Sequence, residues 1–324
     1  MKLKTLIKEL LIKLVYLFRL FIKSERIDFF ISRLLSKKFS RNRLEITSTI
    51  GCAMMCDYCP QTLIKSTLDK NINNRILQKK NFINYFKNIP NSTIIHWSGY
   101  SEPLAHKDFP FFAEYLRDNN YEQHISTTMF GRPDTEIFMS KFNFFGSVTF
   151  HLPDDSKLMK LKVGQRYLKN LESALIYQAS NLHFKNIYIV VFGKNFHPDV
   201  SNLIFKLLDK KIINKKSIDI RDHLHSRNNE ITKMNGFRVT SRKLENSKFS
   251  NKLFYCSYGR LDQGVLVPNG DINICCHDYS LKGIVGNIKN NNISDIYVHE
   301  NLFKNKFHYG QSNICNKCEY YKEI

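Results

Sequence analysis

The sequence predicts an α/β fold in which a parallel sheet with crossover helices precedes a small cysteine-rich domain. The first observation is that short apolar runs alternate with longer segments of helical periodicity between residues 44 and 221. Strand, helix and strand in that order are typical of parallel sheets. The second observation is that the 8 cysteines cluster near residue 56 and beyond residue 255. Such clustering favours local metal sites over a disulfide framework.

The elements follow from the apolar runs and the segments between them. We predict strands over residues 44–48, 93–97, 122–128, 146–151, 187–192 and 217–221. We predict helices over residues 79–88, 110–119, 165–180 and 197–209. Pro110 suits the first turn of its helix, where a backbone N–H needs no partner. Parallel strands end at one edge of their sheet, so we expect functional side chains there.

The first residues differ in character from the rest of the chain. Leucines recur at helical spacing through residues 1–24, with lysines and arginines between them, which predicts a basic amphipathic helix. This helix either lies on an anionic membrane face or packs on its own domain. It lacks the small-residue cleavage site of a secretory signal. We therefore expect a cytoplasmic protein, with peripheral contact at the inner membrane face as an alternative.

A surface with a formal net charge of +20 could bind nucleic acid, anionic lipid or a phosphorylated substrate. However, the lysines are spread along the chain, and Asn and Ile are also abundant, which is typical of compositional bias. We therefore predict no nucleic-acid partner. No apolar run reaches the length of a membrane span.

Cys52, Cys56 and Cys59 form a CxxxCxxC loop directly after the first predicted strand. Three cysteines so close together cannot all pair as disulfides. Zinc would need a fourth ligand, and no other His or Cys lies nearby in the sequence. A cubane iron–sulfur cluster fits better, since three thiolates leave one iron open for chemistry. The alternative is a structural metal knuckle.

This spacing, with Tyr58 before the last cysteine, resembles the signature of the radical S-adenosylmethionine (SAM) enzymes. The resemblance implies a [4Fe-4S] cluster whose open iron binds SAM. An electron then cleaves SAM to a 5′-deoxyadenosyl radical, which abstracts a substrate hydrogen. It also implies a partial (β/α)6 TIM-like barrel, here over residues 43–228 after an N-terminal segment of residues 1–42. A flavodoxin- or ferredoxin-type protein would donate the electron.

The second predicted strand runs into Ser98-Gly99-Tyr100-Ser101-Glu102-Pro103, which resembles the family's Gly-Gly-Glu-Pro motif. Gly99 permits a close approach, and Glu102 or a carbonyl near Tyr100 would meet the SAM ammonium. The end of the third strand resembles the threonine-rich stretch that the family places beside SAM. The resemblance thus implies these SAM-binding residues: Tyr58, Ser98, Gly99, Tyr100, Glu102, Thr127 and Thr128.

Catalytic candidates follow the fourth and sixth predicted strands. His151 would bond the ribose, the SAM carboxylate or the substrate; the alternative is a surface histidine capped by Asp154. Arg221 or Arg227 would pair with the SAM carboxylate or with a substrate oxyanion and could lower the pKa of a substrate hydroxyl; of the two we favour Arg227. The alternative for these arginines is a solvated loop.

The C-terminal cysteines predict a second site. Residues 265–267 and 271–275 read as a β-hairpin, which brings Cys275 back toward Cys256. Gly270 to Cys275, Gly286-Asn287 and the closing CxxC resemble the SPASM auxiliary-cluster domain in its shorter "twitch" form, here within residues 229–324. The resemblance implies a second [4Fe-4S] cluster on Cys256, Cys275, Cys315 and Cys318. Four-thiolate zinc is the alternative. Cys276 is a ligand in place of Cys275, a hydrogen-atom donor or, as we interpret it, a bystander.

A fully ligated cluster carries electrons. The spacing from Cys256 to Cys275, followed by the CxxC, resembles the twitch domain of radical SAM aminocyclitol dehydrogenases. This resemblance implies a radical SAM oxidoreductase that dehydrogenates a hydroxyl of a small sugar, cyclitol or glycan precursor. The auxiliary cluster would accept the electron left after hydrogen abstraction. The alternatives are a radical epimerase or peptide-modifying enzyme, in which Cys276 returns a hydrogen, and a basic zinc-bearing nucleic-acid-binding module.

Overall fold

The computed structural model describes residues 14, 43–68, 75–181, 186–226, 231, 238–240, 254–257, 263–293 and 318–323. Several predictions fall elsewhere in the chain. The N-terminal helix apart from Leu14, most of the connector before residue 254, and the candidates Arg227 and Cys315 lie outside the described residues. None of the helices in the described part of the chain is long and apolar enough to cross a membrane.

A 9-stranded sheet organises the described residues, and the predicted run of parallel strands forms six of its strands, up to one edge. The first six strands lie side by side in chain order, and each pairs with the next in parallel. The sheet does not close, so the prediction of a partial barrel is confirmed. The six strands are β1 (Arg43–Ile46), β2 (Ile94–Trp97), β3 (Gln123–Thr127), β4 (Phe145–Leu152), β5 (Ile187–Phe192) and β6 (Ile218–Arg221).

Helices connect these strands across one face of the sheet. The four predicted helices and six predicted strands all occur, with ends within two residues of the predicted ones. Two further α-helices, Gln61–Leu68 and Pro133–Phe138, were not predicted. The helices are α1 (Gln61–Leu68), α2 (Lys79–Phe86), α3 (Phe109–Asp118), α4 (Pro133–Phe138), α5 (Gln165–Asn181) and α6 (Pro198–Asp209), with 3₁₀ turns at Pro103–Ala105 and Lys215–Ser217.

The core lies between the strands and these helices. Alternate strand residues such as Trp97 and Phe150 are fully buried in it, together with helix residues such as Phe82 and Phe112. The rings of Phe82 and Phe112 stack with centroids 4.4 Å apart. The intervening strand residues face the other way, into the barrel interior, because successive side chains of a strand point to opposite faces.

The C-terminal segment extends the same sheet. The strands β10 (Gln263–Leu266), β11 (Asp271–Asn273) and β12 (Ile284–Asn287) pair in antiparallel fashion, which confirms the hairpin. The hairpin turns at Gly270, whose φ of 94° is a left-handed conformation that favours glycine. The sequence did not predict that β10 pairs in parallel with β1. This pairing places the residues after β11 beside the cysteine loop that follows β1.

Short ladders complete the described structure. The strand β7 (His223–His225) pairs in parallel with β8 (Arg238–Thr240). The strand β9 (Phe254–Cys256) pairs in antiparallel fashion with β13 (Tyr321–Glu323). The second ladder places Cys256 opposite the residues that follow Cys318.

Candidate functional site

A cavity of about 710 Å³ opens at the carboxyl ends of β1 to β6. The loop after β1, the ends of the other five strands and the C-terminal segment all contribute to its wall. All predicted residues of the first site that the structure describes line it: Cys52, Cys56, Cys59, Tyr58, Ser98, Gly99, Tyr100, Glu102, Thr127, Thr128, His151 and Arg221.

Backbone and side-chain bonds fix the cysteine loop. The Cys52 N–H donates to Gln61 Oε1 at 3.2 Å, which ties the start of the loop to α1. The Asp57 N–H donates to the Leu158 carbonyl at 2.9 Å, and Lys160 Nζ lies 2.6 Å from the Asp57 carboxylate. The loop is therefore anchored on both sides of the cavity, although nothing in the sequence marks Leu158 or Lys160 as partners.

Burial alters the acidity of the thiols in this loop. It raises the pKa of the Cys52 thiol and raises the pKa of the Cys56 thiol to about 12; the nearby Cys59 thiol acts in the same direction. These thiols are therefore protonated at neutral pH without a metal, and metal binding must release their protons.

Cys59 forms hydrogen bonds in two directions. Gln61 Nε2 donates to its sulfur at 3.3 Å from the barrel side. The hydroxyl of Tyr279, from the C-terminal segment, lies 3.3 Å from the same sulfur. Gln61 also donates to the Tyr100 carbonyl at 2.6 Å, so a single amide joins the cysteine loop to the turn after β2. Sequence analysis missed both Gln61 and Tyr279.

The donor set suits the predicted cluster. In the described ranges, no three His, Cys, Asp or Glu side chains are placed to hold one single metal ion. The three cysteines Cys52, Cys56 and Cys59 instead line the cavity. Thiolates are the usual ligands of iron–sulfur clusters, and an open side leaves room for a non-protein ligand. The residues present therefore fit a thiolate-bound cluster with an open corner.

Gly99 makes the turn after β2. Its φ of 73° is left-handed, and a Cβ at this position would overlap the Thr47 hydroxyl. That hydroxyl accepts the Tyr100 N–H at 3.0 Å. Ser98 Oγ donates to Glu45 at 2.9 Å. The turn therefore presents its backbone at the cavity wall only if residue 99 has no side chain.

Glu102 joins the end of β2 to the end of β3. Its Oε1 accepts bonds from the Leu104 N–H at 3.0 Å and the Thr127 hydroxyl at 2.6 Å. Its Oε2 accepts bonds from the N–H and hydroxyl of Thr128 at 2.6 and 2.8 Å. Burial raises the pKa of Glu102 despite these donors. A carboxylate has about four lone-pair sites, so the turn and the two threonines already engage most of its capacity.

Phe192, at the end of β5, brings the remaining candidates together, and the sequence did not single it out. Its ring centroid lies 5.0 Å from that of Tyr58 and 5.7 Å from that of His151, which is stacked nearly parallel. The Arg221 guanidinium lies 5.5 Å from the same ring centroid and donates to Asp219 at 2.7 Å.

The alternative for His151 as a histidine capped by Asp154 is wrong. Asp154 is buried, and its carboxylate instead accepts the N–H groups of Leu158 and Met159 at 3.0 and 2.9 Å. His151 is one of the residues that line the cavity.

The second cysteine set lies around the residues after β11. Hydrogen bonding with Cys276 and burial raise the pKa of Cys275, and the Cys318 thiol acts in the same direction. Burial raises the pKa of Cys318 to about 12, with Cys256 and Cys276 among the further causes. Cys318 thus lies near Cys256, Cys275 and Cys276. Of these four, Cys276 lines the cavity.

A histidine cluster borders the cavity between β7 and the C-terminal segment. His225 Nδ1 lies 3.3 Å from Glu319 Oε1, and Ser226 Oγ donates to the same carboxylate at 3.2 Å. The Tyr320 ring packs on His225 and His277, with centroids 4.6 and 5.4 Å apart. The only sequence signal was the run of polar residues after β6, which did not reveal the partners near residue 319.

Comparisons with known proteins agree with this arrangement. Residues 256–319 match the family model of SPASM, described as an iron–sulfur cluster-binding domain. No curated protein matches the sequence. A structure of anSMEcpe with bound AdoMet is similar at a TM-score of 0.52 and 16% identity, over 86% of this chain and 86% of that one.

Two other solved structures are also similar. Streptococcus suis SuiB bound to precursor peptide SuiA has a TM-score of 0.51 and 13% identity, over 90% of this chain and 72% of that one. BtrN in complex with AdoMet and 2-DOIA has a TM-score of 0.42 and 16% identity, over 82% and 85% of the two chains. The chain therefore has the fold of the radical SAM enzymes and carries a C-terminal SPASM iron–sulfur cluster-binding domain.

Proposed function

We propose that this protein is a radical SAM oxidoreductase that dehydrogenates a hydroxyl of a small sugar-like molecule. One observation carries the proposal: Cys52, Cys56 and Cys59 share a cavity wall with Cys276 of the SPASM domain. A substrate held there would lie at the proposed site of radical formation. It would also lie next to Cys275, a proposed ligand of the electron-accepting cluster, because Cys276 follows Cys275 directly and hydrogen-bonds with it. The substrate class we favour is a sugar, cyclitol or glycan precursor.

Cys52, Cys56 and Cys59 would hold the SAM-binding cluster, and Cys256, Cys275, Cys315 and Cys318 the auxiliary one. When bound, the first cluster supplies the electron that cleaves SAM, and the second accepts the electron left after hydrogen abstraction. A flavodoxin- or ferredoxin-type protein is the proposed donor of the first electron.

The residues of the SAM subsite position the cofactor. The backbone of Gly99 and Tyr100 would face the SAM amino group, because glycine permits close approach there. Glu102 adds a negative charge and keeps the turn after β2 fixed to Thr127 and Thr128. Ionised carboxylates and carbonyls are the acceptors that an ammonium group needs.

The barrel interior suits a hydroxyl-rich substrate. Its wall includes Glu45, His96, Ser126 and Thr149, which all offer polar atoms, and His96 lies within 2.9 Å of Ser126 Oγ. Phe192 adds one apolar surface. A polyhydroxylated molecule needs hydrogen-bond partners on several sides together with such a surface.

The proposed oxidation removes a hydrogen atom, a proton and an electron from the substrate, and each of them needs an acceptor at this site. The hydrogen atom of the carbinol carbon would go to the radical derived from SAM, and the hydroxyl proton would go to His225, whose partner is Glu319 at 3.3 Å. The remaining electron would go to the auxiliary cluster, which leaves a ketone. Arg221 would stabilise the developing oxyanion.

A second candidate, a radical epimerase, is favoured by the position of Cys276. This thiol lines the cavity, where it could return a hydrogen atom to the substrate radical. The product would then be a stereoisomer of the substrate, with no net oxidation.

Anaerobic reconstitution followed by incubation with SAM, reductant and candidate sugars tests the proposal. We expect about eight irons per chain, 5′-deoxyadenosine, and a product lighter by two hydrogens in mass spectrometry. The variant Cys276→Ala separates the candidates, since a dehydrogenase keeps its product and an epimerase loses it. Protein that holds zinc and no iron would contradict both and would support the nucleic-acid-binding alternative.

A further inference from the structure

We propose that Tyr279 of the SPASM domain sets the reduction potential of the SAM-binding cluster through its hydrogen bond to Cys59. The inference rests on the part of the proposed function in which Cys52, Cys56 and Cys59 hold a cluster. It concerns how readily that cluster is reduced, and it holds whatever the substrate is.

The contact is built into the fold. Tyr279 is 5% exposed, and its hydroxyl lies 3.3 Å from the Cys59 sulfur. Its ring packs edge-on against Tyr100 with centroids 4.9 Å apart. The Tyr100 hydroxyl lies 2.8 Å from the Cys275 carbonyl oxygen and accepts a bond from Asn273 Nδ2 at 2.6 Å. The segment that carries Tyr279 is therefore held in place by bonds that do not involve Tyr279 itself.

The direction of the hydrogen bond follows from the chemistry of the ligand. A cysteine bound to iron is a thiolate and has no proton, so the Tyr279 hydroxyl must be the donor. Reduction adds negative charge to the cluster and its sulfurs. A donor on the sulfur therefore stabilises the reduced form more than the oxidised form, and the reduction potential rises.

Donors from two parts of the chain meet on this one sulfur. Gln61 donates from α1, within the barrel, and Tyr279 donates from the SPASM domain. The reducibility of the SAM-binding cluster is thus linked to the seating of the SPASM domain on the cavity. Outer-shell hydrogen bonds of this kind are known to tune metal centres.

A redox titration of the full-length reconstituted protein, followed by electron paramagnetic resonance, tests the inference with Tyr279→Phe. The signal of the SAM-binding cluster is the one that changes when SAM is added. We expect the variant to hold roughly tenfold less reduced cluster at a fixed solution potential, a shift of about 59 mV to lower potential.

Tyr85→Phe is the matched control. Tyr85 is also buried, and its hydroxyl donates to the Pro268 carbonyl at 3.1 Å. It therefore joins the barrel to the β10–β11 hairpin of the C-terminal segment without contacting a cysteine. We expect no shift in this variant. An unchanged potential in Tyr279→Phe, or an equal shift in both variants, would overturn the inference.

A second measurement covers the case in which Tyr279→Phe does not retain its cluster. Electron–nuclear double resonance on the Gln61→Leu variant, which lacks the other side-chain donor to Cys59, should still detect an exchangeable proton that is strongly coupled to the SAM-responsive cluster and is lost in D2O. The absence of this proton overturns the inference. If the wild-type protein has no SAM-responsive signal at all, the proposed function fails, and the outcome is distinguishable from failure of the Tyr279 inference alone.

Discussion

The two cysteine sets of this chain differ in how they are built and in what they face. Cys52, Cys56 and Cys59 come from one short loop, and all three line the cavity. Cys256, Cys275 and Cys318 come from segments far apart in sequence, and Cys276 is the member of that group at the cavity wall. The first arrangement suits a site that must admit a ligand, and the second suits one that must exclude it. The difference agrees with the division that we propose between radical formation and electron acceptance.

The largest expected effect separates the two sets directly. Replacing Cys52, Cys56 and Cys59 together with alanine should remove about half of the iron and abolish formation of 5′-deoxyadenosine. Replacing Cys275 and Cys318 should also lower the iron content but leave SAM cleavage in place while oxidised product disappears. Iron analysis and chromatography of the reaction measure both. Equal loss of SAM cleavage in the two variants would contradict the division of roles.

A smaller effect concerns the turn that borders the open site. Gly99→Ala places a Cβ against Thr47 in a left-handed conformation, so we expect a loss of about 1–3 kcal/mol in unfolding free energy together with weaker SAM binding. Urea unfolding and calorimetric titration with SAM measure the two. Gly164→Ala is the control, because nothing lies within 4 Å of a Cβ there. Similar results for the two variants would show that the turn does not require glycine.

Glu102→Gln is expected to lower the unfolding free energy less than Gly99→Ala does. The amide removes one acceptor oxygen from the four hydrogen bonds that Glu102 accepts, three of which come from Thr127 and Thr128, at a cost of about 1 kcal/mol. SAM binding should weaken in addition. Glu172→Gln, which only removes the partner of Lys206 at the surface, is the control and should leave unfolding and SAM binding nearly unchanged. Unchanged SAM affinity in Glu102→Gln would exclude a role for this charge in binding the cofactor.

The smallest expected effect is the pH dependence of stability that His106 contributes, away from both cysteine sets. Burial lowers the pKa of His106, whose Nδ1 accepts the Asp108 N–H at 3.0 Å. The unfolded chain therefore takes up a proton before the folded one does, and stability falls as the pH drops below the ordinary pKa of 6.5. Denaturant unfolding from pH 7.5 to 5.5 measures this. His106→Asn, which keeps an acceptor, should flatten the dependence; an unchanged slope would assign it to other groups.

Much of the barrel and of the first site was predictable, because each depends on residues close together in sequence. Apolar runs define the strands, and the loop from Cys52 to Cys59 follows β1 directly. What could not be predicted depends on pairing across the chain. The contacts between Cys59 and Tyr279, and between His225 and Glu319, arise from the packing of the C-terminal segment. No local periodicity encodes that packing.

The parallel pairing of β10 with β1 has a consequence for biosynthesis. The first strand of the barrel obtains one of its two neighbours from a segment more than 200 residues later in the chain. Until the ribosome has produced that segment, the backbone N–H and C=O groups along one side of β1 have no ladder partner. Exposed strand edges of this kind can pair with strands of other chains and so promote aggregation. Truncation before residue 263 should therefore yield an aggregating product, since the last quarter of the polypeptide completes a structure begun by its first.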